Sequence, residues 1–159
     1  MHYDFAADIA AVQRIPEVEA ILADVCRLTG MGFSAVARVT ADRWIACQVL
    51  DQIEFGLHPG DELKVQTTIC DEIRASRQGV YIDHVAADQA WCTHHTPALY
   101  GFESYISWPI LRAEGFFGTL CAIDPAPSRV PLATLVPQIE DYAQQIAAEL
   151  DRLSLAASR

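Results

Sequence analysis

The stretch Ser104–Asp124, SYISWPILRAEGFFGTLCAID, decides how the chain is read. Ser104 to Leu111 and Phe116 to Ile123 are rich in β-branched, aromatic and aliphatic residues, and Ala113-Glu114-Gly115 between them is a turn, so the spacing predicts a hairpin. Pro109 has no amide hydrogen, which confines it to an edge, a bulge or an unpaired position of its strand. Upstream, Asp83 to Gly101 is an irregular run containing His84, Trp91, His94, His95 and Tyr100. Before that run, Thr67-Thr68-Ile69-Cys70-Asp71 opens a helix reaching about Arg77, with Ile69, Cys70 and Ile73 on one face. Gln78-Gly79 closes this helix, and Val80 to Ile82 forms a short strand. The whole stretch is expected to wrap one pocket, with the loop as the place for a ligand.

The flanks supply wall and handle. Ile15-Pro16-Glu17 starts a helix, because proline suits a first turn and acids favour the N-terminal end of the dipole. Val18, Ile21, Leu22, Val25 and Leu28 follow at helical spacing until Gly30 and Gly32 stop it, and Phe5, Ile9 and Val12 mark a shorter amphipathic helix before it. Phe33 to Thr40 alternates apolar and other residues, Arg43 to Leu50 is rich in strand formers, and Thr40-Ala41-Asp42 joins them as a hairpin. Asp51 to Gly60 reads as a loop ending in the turn His58-Pro59-Gly60. After the proline-rich connection Asp124–Pro131, a long helix runs from Leu132 to Leu155, with Leu135, Ile139, Tyr142, Ile146, Leu150 and Leu153 spaced by three or four. This stripe is close to a heptad seam, so part of the helix is expected to pair with a partner helix, most simply in a homodimer, or to lead into a downstream module.

Composition bounds the function. The 159 residues, 52% hydrophobic and 20% charged, suit one domain over 1–159 with a real core. A net charge of −10, with only 11 scattered Lys and Arg, argues against nucleic acid and anionic membranes as partners. No apolar run is long enough to span a bilayer and Met1-His2-Tyr3-Asp4 lacks the order of a signal peptide, so the expected location is cytoplasmic. Cys26, Cys47, Cys70, Cys92 and Cys121 are an odd number without a C-x-x-C pair, which fits reduced thiols better than disulfides or structural zinc. Only Cys92 lies in a polar loop; the others sit in apolar patterns where cysteine is usually a small buried hydrophobe.

The order helix, hairpin, helix, strand, loop, hairpin and long helix, together with Ser104 to Leu111 and Gly118-Thr119-Leu120-Cys121-Ala122-Ile123-Asp124, resembles the GAF domain family over roughly Pro16 to Leu150. The resemblance implies an α+β fold: an antiparallel sheet of five or six strands, helices from both chain ends (about 1–29 and 132–155) on one face, and a ligand pocket on the other. It also implies a sensory or dimerising module beside effectors such as histidine kinases. One branch, the phytochromes and cyanobacteriochromes, bonds a linear tetrapyrrole through a loop cysteine. By that resemblance Cys92 is the anchor and Asp71 the pyrrole contact, with Gly101 where the family usually has glycine. Thr93 stands where those photoreceptors usually carry histidine, and the segment from Asp71 to Gly79 is shorter than its counterpart.

Chemistry gives each residue a role to be tested. A thioether needs an accessible thiolate, and His94 and His95 near Cys92 are the groups that could activate it. Tyr100, Phe102, Tyr105 and Trp108 could wall a bilin, with core packing the plain alternative for Phe102 and Trp108. A metal site from His84, His94, His95 and Cys92 lacks ligand spacing, and no glycine loop cradles a phosphate. Three readings follow: a sensory domain binding a small ligand, with a covalent bilin photoreceptor as its sharpest form; a sensor-kinase module with a non-covalent metabolite or a purely dimerising role; and a redox enzyme using Cys92, like the GAF-type free methionine sulfoxide reductases, whose cysteine pattern is not reproduced here. In the first two readings the domain itself is non-catalytic.

Overall fold

Pro16, with φ −64°, leads into helix α2, Glu17–Thr29, and Gly30 ends it at φ 73°, its amide bonded to the Cys26 carbonyl at 2.9 Å. The computed structural model describes residues 5–65 and 68–157. Met1 to Asp4 and Thr67, used in the readings above, lie outside the described residues. Helix α1 is Phe5–Gln13, as its spacing predicts. Strands β1 (Phe33–Val39) and β2 (Trp44–Asp51) form the first hairpin, and β5 (Ser104–Arg112) and β6 (Gly115–Asp124) the second. With β3 (Glu62–Leu63) and β4 (Val80–Ile82) they make one antiparallel sheet in the order β3-β2-β1-β6-β5-β4. Pro109 lies beyond Ser107, the last β5 residue paired with β4, where β5 is bonded on its β6 side alone.

Both faces of the sheet are covered. On one, Val36, Ile106, Ile110 and Leu120 pack with Val18 and Leu22 of α2 and with Ile139 and Ile146 of α5, Val136–Ala157. On the other, Ala35, Ala37, Tyr105 and Cys121 pack with Ile69, Cys70 and Ile73 around helix α3, Cys70–Ser76. Double cover explains why β1 is buried almost throughout rather than alternately. Ser34 is wholly buried on the helical side, and its hydroxyl donates to the Leu22 carbonyl at 2.9 Å, so its burial is compensated. The helical layer is tied on by polar contacts: Asp8 of α1 pairs with Arg38 at 3.1 Å, and Tyr142 of α5 donates to Asp24 of α2.

The structure corrects one expectation. The run Asp83–Gly101 is not wholly irregular: it holds a 3-10 turn at Val85–Ala87 and helix α4, His95–Tyr100. The loop read from Asp51 to Gly60 is followed by the two-residue β3, a strand the sequence reading did not place. Along α5, Ile139, Ile146 and Leu150 are buried on the protein's own sheet and α2, and Leu155 near its end is 65% exposed.

Gly118 fixes the spacing at the centre of the sheet. A β-carbon there would lie 1.8 Å from the Ala37 carbonyl oxygen, so β1 and β6 close up only with glycine. Gly118→Ala is expected to cost about 3 kcal/mol in urea denaturation, because the obstacle is backbone and cannot rotate away. An unchanged midpoint would contradict this packing.

Candidate functional site

The sheet face opposite the long helices is not completely filled. Phe33, Trp44, Tyr105 and Cys121 from the sheet, with Cys70 and Thr96 above them, enclose a small chamber of about 50 Å³. A wider cleft of about 550 Å³ lies beside it, walled by Ile53–Leu57, Gly101 and Asp124. The two hollows share Phe55, Leu57, Leu63, Tyr100, Phe102 and Ile123. Phe55 and Tyr100, their rings 6.2 Å apart, therefore stand between chamber and cleft. No Lys, Arg or His lines either hollow among the described residues, whereas Glu54 and Asp124 lie at the cleft.

Asp51 builds the outer wall. Its carboxylate accepts from the amides of Ile53 (3.2 Å), Phe55 (3.0 Å) and Gly56 (2.8 Å), folding the chain back so that Phe55 reaches the chamber. Burial would raise the Asp51 pKa, but the bonds from Gly56, Phe55 and Ile53 outweigh it and hold the carboxyl below the usual range. The loop's anchor is thus present above the ordinary carboxylate pKa and is lost as pH falls through the lowered value. Glu54 (φ 55°) and Gly56 (φ 92°) take the left-handed conformations that so tight a fold requires.

Behind the chamber is a cluster of buried hydroxyls and thiols. Cys70 Sγ lies 3.2 Å from Thr119 Oγ1, 3.7 Å from the Tyr105 hydroxyl and 3.9 Å from Ser107 Oγ. Burial, reinforced by Cys70 and Cys121, pushes the Tyr105 phenol well above its ordinary pKa. Burial and the neighbouring Cys70 likewise push the Cys121 thiol up, and burial takes Cys47 to about 12. Cys121 and Cys47 are therefore neutral thiols near pH 7 and poor nucleophiles.

The structure separates the residues that the sequence groups together. Tyr100, Phe102 and Tyr105 line the chamber. Trp108 does not: it faces the helices, its indole donating to Glu140 of α5 at 3.1 Å, and its ring occupies the space a β-carbon on Gly79 would need. Asp71 also lies away from the chamber, in an ion pair with Arg74 at 3.0 Å. Cys92 is exposed and contributes nothing to the lining.

His94 is the residue whose role the sequence misrepresents most. Its Nδ1 accepts the Thr96 amide at 3.1 Å, capping α4, and its Nε2 meets Glu72 at 3.0 Å. With Nδ1 accepting, the proton sits on Nε2 and points to the carboxylate. His94 thus clips α4 to α3, and the His95 ring stacks on it at 4.4 Å. A base for Cys92 would need a free ring nitrogen directed at that thiol, and His94 has neither nitrogen free.

A linear tetrapyrrole does not fit these residues as they stand. The proposed anchor is exposed, the proposed pyrrole contact is paired with Arg74, and among the described residues no Lys, Arg or His lines the chamber to meet the pigment's carboxylates. In the folded protein a disulfide-exchange reagent is expected to titrate one thiol of the five rapidly, the fast reaction disappearing in Cys92→Ser. Rapid reaction persisting in that variant would mean that another cysteine is open.

Comparison with solved structures finds the same architecture in several settings. The GAF-B domain of DevS from Mycobacterium smegmatis superposes with TM-score 0.67 at 18% identity, covering 94% of this chain and 98% of that one. The PixJ GAF domain of Thermosynechococcus elongatus, in its blue-light-absorbing form, gives 0.71 at 13% identity, covering 99% and 94%. Free methionine-R-sulfoxide reductase from Neisseria meningitidis, in complex with its substrate, gives 0.66 at 15% identity, covering 98% and 96%. No curated protein matches by sequence. The reductase corrects one expectation: because an enzyme is built on this fold, the fold gives no ground for treating the domain as non-catalytic. The GAF family pattern matches residues 14–150, nearly the whole described chain, and the protein belongs to the GAF domain family.

Proposed function

We propose that this GAF domain is a sensory module that admits a small non-covalent ligand to the chamber between the sheet and helices α3 and α4, and relays its presence to the helical layer. The observation that carries this reading is the aromatic-lined hollow in an otherwise closely packed core, joined to a cleft through shared walls. At about 50 Å³ the chamber is the closed form, since drug-sized ligands occupy roughly 300 Å³ or more. Entry requires Phe55 and Tyr100 to part. Both sit on short segments held by polar clips, Asp51 for one and the His94–Glu72 pair for the other.

Strand β5 offers the relay. Tyr105 faces the chamber, and three residues on Trp108 reaches Glu140 of α5 on the opposite face. A ligand that favours one setting of Tyr105 would bias the β5–α5 contact, which is a population shift between two arrangements of the sheet and its helices. The effector that reads α5 belongs, in this proposal, to the same signalling system.

The test uses α-methylstyrene, a planar uncharged hydrocarbon, followed by protein NMR. The expected result is a shift of the Ile69 and Ile123 methyls beside the chamber together with the Trp108 indole N–H on the far face. Unmoved chamber methyls would overturn the pocket. Chamber shifts with a motionless Trp108 would overturn the relay.

A further inference from the structure

Helices α2 and α4 end on glycines, Gly30 and Gly101, both in the left-handed conformation at φ 73°. Helix α3 ends in the same way without one: Arg77 holds φ 59°, its amide bonded to the Ile73 carbonyl at 2.6 Å. Glycine adopts that conformation freely, whereas a residue with a β-carbon is strained in it, so the arginine side chain is kept at a cost in stability. The negative end of the α3 dipole does not need it, because Arg74 already stands in the last turn. The Arg77 guanidinium reaches over the β5–β6 turn, where Nη2 lies 4.0 Å from the place of a β-carbon on Gly115. No acid pairs with it among the described residues, although Asp and Glu outnumber Lys and Arg by 21 to 11 in the chain.

Arg77 stands at a groove of about 520 Å³, lined also by Arg38, Arg74 and Glu114 and by the apolar residues Val39 and Phe116. The groove shares no lining residue with the chamber or the cleft, and its volume falls within the range of small-molecule sites, roughly 300 to 1,000 Å³. Arginines that are far apart in a chain of net charge −10 thus meet at one end of the sheet. The charges of the lining cancel with one exception. Arg38 pairs with Asp8 at 3.1 Å, Arg74 with Asp71 at 3.0 Å and Glu114 with Arg112 at 3.0 Å. Arg77 is left as a single uncompensated positive charge.

We infer that this groove is a second binding site, separate from the chamber, and that its ligand is a small monocarboxylate with an apolar body. The inference goes beyond the proposed function and does not depend on it. One uncompensated guanidinium matches one carboxylate, which its planar fork holds through two parallel N–H bonds. Val39 and Phe116 give the body of the ligand an apolar surface beside that fork. The acidic surface of the rest of the protein repels such an anion and so favours this groove over other sites.

Benzoate and benzamide are planar molecules of nearly the same shape and differ by one negative charge. Their dissociation constants are measured by NMR titration at low ionic strength on the wild-type protein, on Arg77→Gly and on Arg129→Ala, which removes a positive charge from the connection before α5. Benzoate is expected to shift the Val39 methyls, the Phe116 ring and the Arg77 Nε–H, and to bind about tenfold more weakly to Arg77→Gly while binding Arg129→Ala as it binds the wild type. Benzamide is expected to bind the wild type about tenfold more weakly than benzoate does. Glycine suits the backbone at position 77, so Arg77→Gly is expected to unfold at a urea concentration no lower than the wild type. Equal loss of benzoate in the two variants overturns the inference, because the attraction is then that of overall charge. Equal affinity for benzoate and benzamide overturns the role of the guanidinium. Benzoate shifts at Ile69 and Ile123 in place of Val39 assign the anion to the chamber and overturn the second site, whereas unmoved Val39 and Phe116 signals overturn it and leave the chamber untouched. A lower urea midpoint in Arg77→Gly also overturns it, since the side chain is then kept for the fold.

Discussion

The close pairing of β1 with β6, through Gly118 against the Ala37 carbonyl, is the constraint on which the rest of the molecule depends. It joins two hairpins into one sheet whose central strands are apolar on both faces, and such a sheet must be covered twice. The terminal helices cover one face with long, continuous stripes. The other face receives only short pieces: α3 of seven residues, α4 of six, and the loop folded on Asp51. Short pieces cover a flat surface less perfectly than long helices do, and the chamber lies where they meet.

That asymmetry also distributes the polar groups. On the helical side, contacts such as Ser34 with Leu22, Tyr142 with Asp24 and Arg38 with Asp8 fasten large elements to the sheet. On the chamber side, Asp51 and His94 bond mainly to backbone amides and hold segments that have little packing of their own. Charge-assisted bonds to a loop are strong enough to order it and weak enough to be exchanged, which suits walls that must part for a ligand.

The layout of the fold was legible in the sequence because hairpins and amphipathic helices leave periodic signals. Gly30 after a helical stripe and the turn at Gly115 were sufficient to place α2, β5 and β6. The site was less legible. Helix α4 is too short for periodicity, contains Pro97 and is capped by histidine rather than by a serine, threonine or aspartate, so its residues read as loop. The separation of Tyr105 from Trp108 could have been read: three positions apart on a strand, they face opposite sides, and only one of them can reach a pocket. Asp51 was read only as the start of the loop to Gly60, and its bonds to the amides of Ile53, Phe55 and Gly56 emerge in the structure alone.

The central claim is that the chamber side of this sheet is a core left partly empty. Xenon uptake tests it most directly, because the atom is apolar, needs no hydrogen bond and enters dry cavities. Under xenon pressure the methyls of Ile69 and Ile123 are expected to shift saturably, while those of Ile139 and Ile146 in the helical core stay where they are. Saturable shifts in the helical core alone, or none in either, would contradict the account.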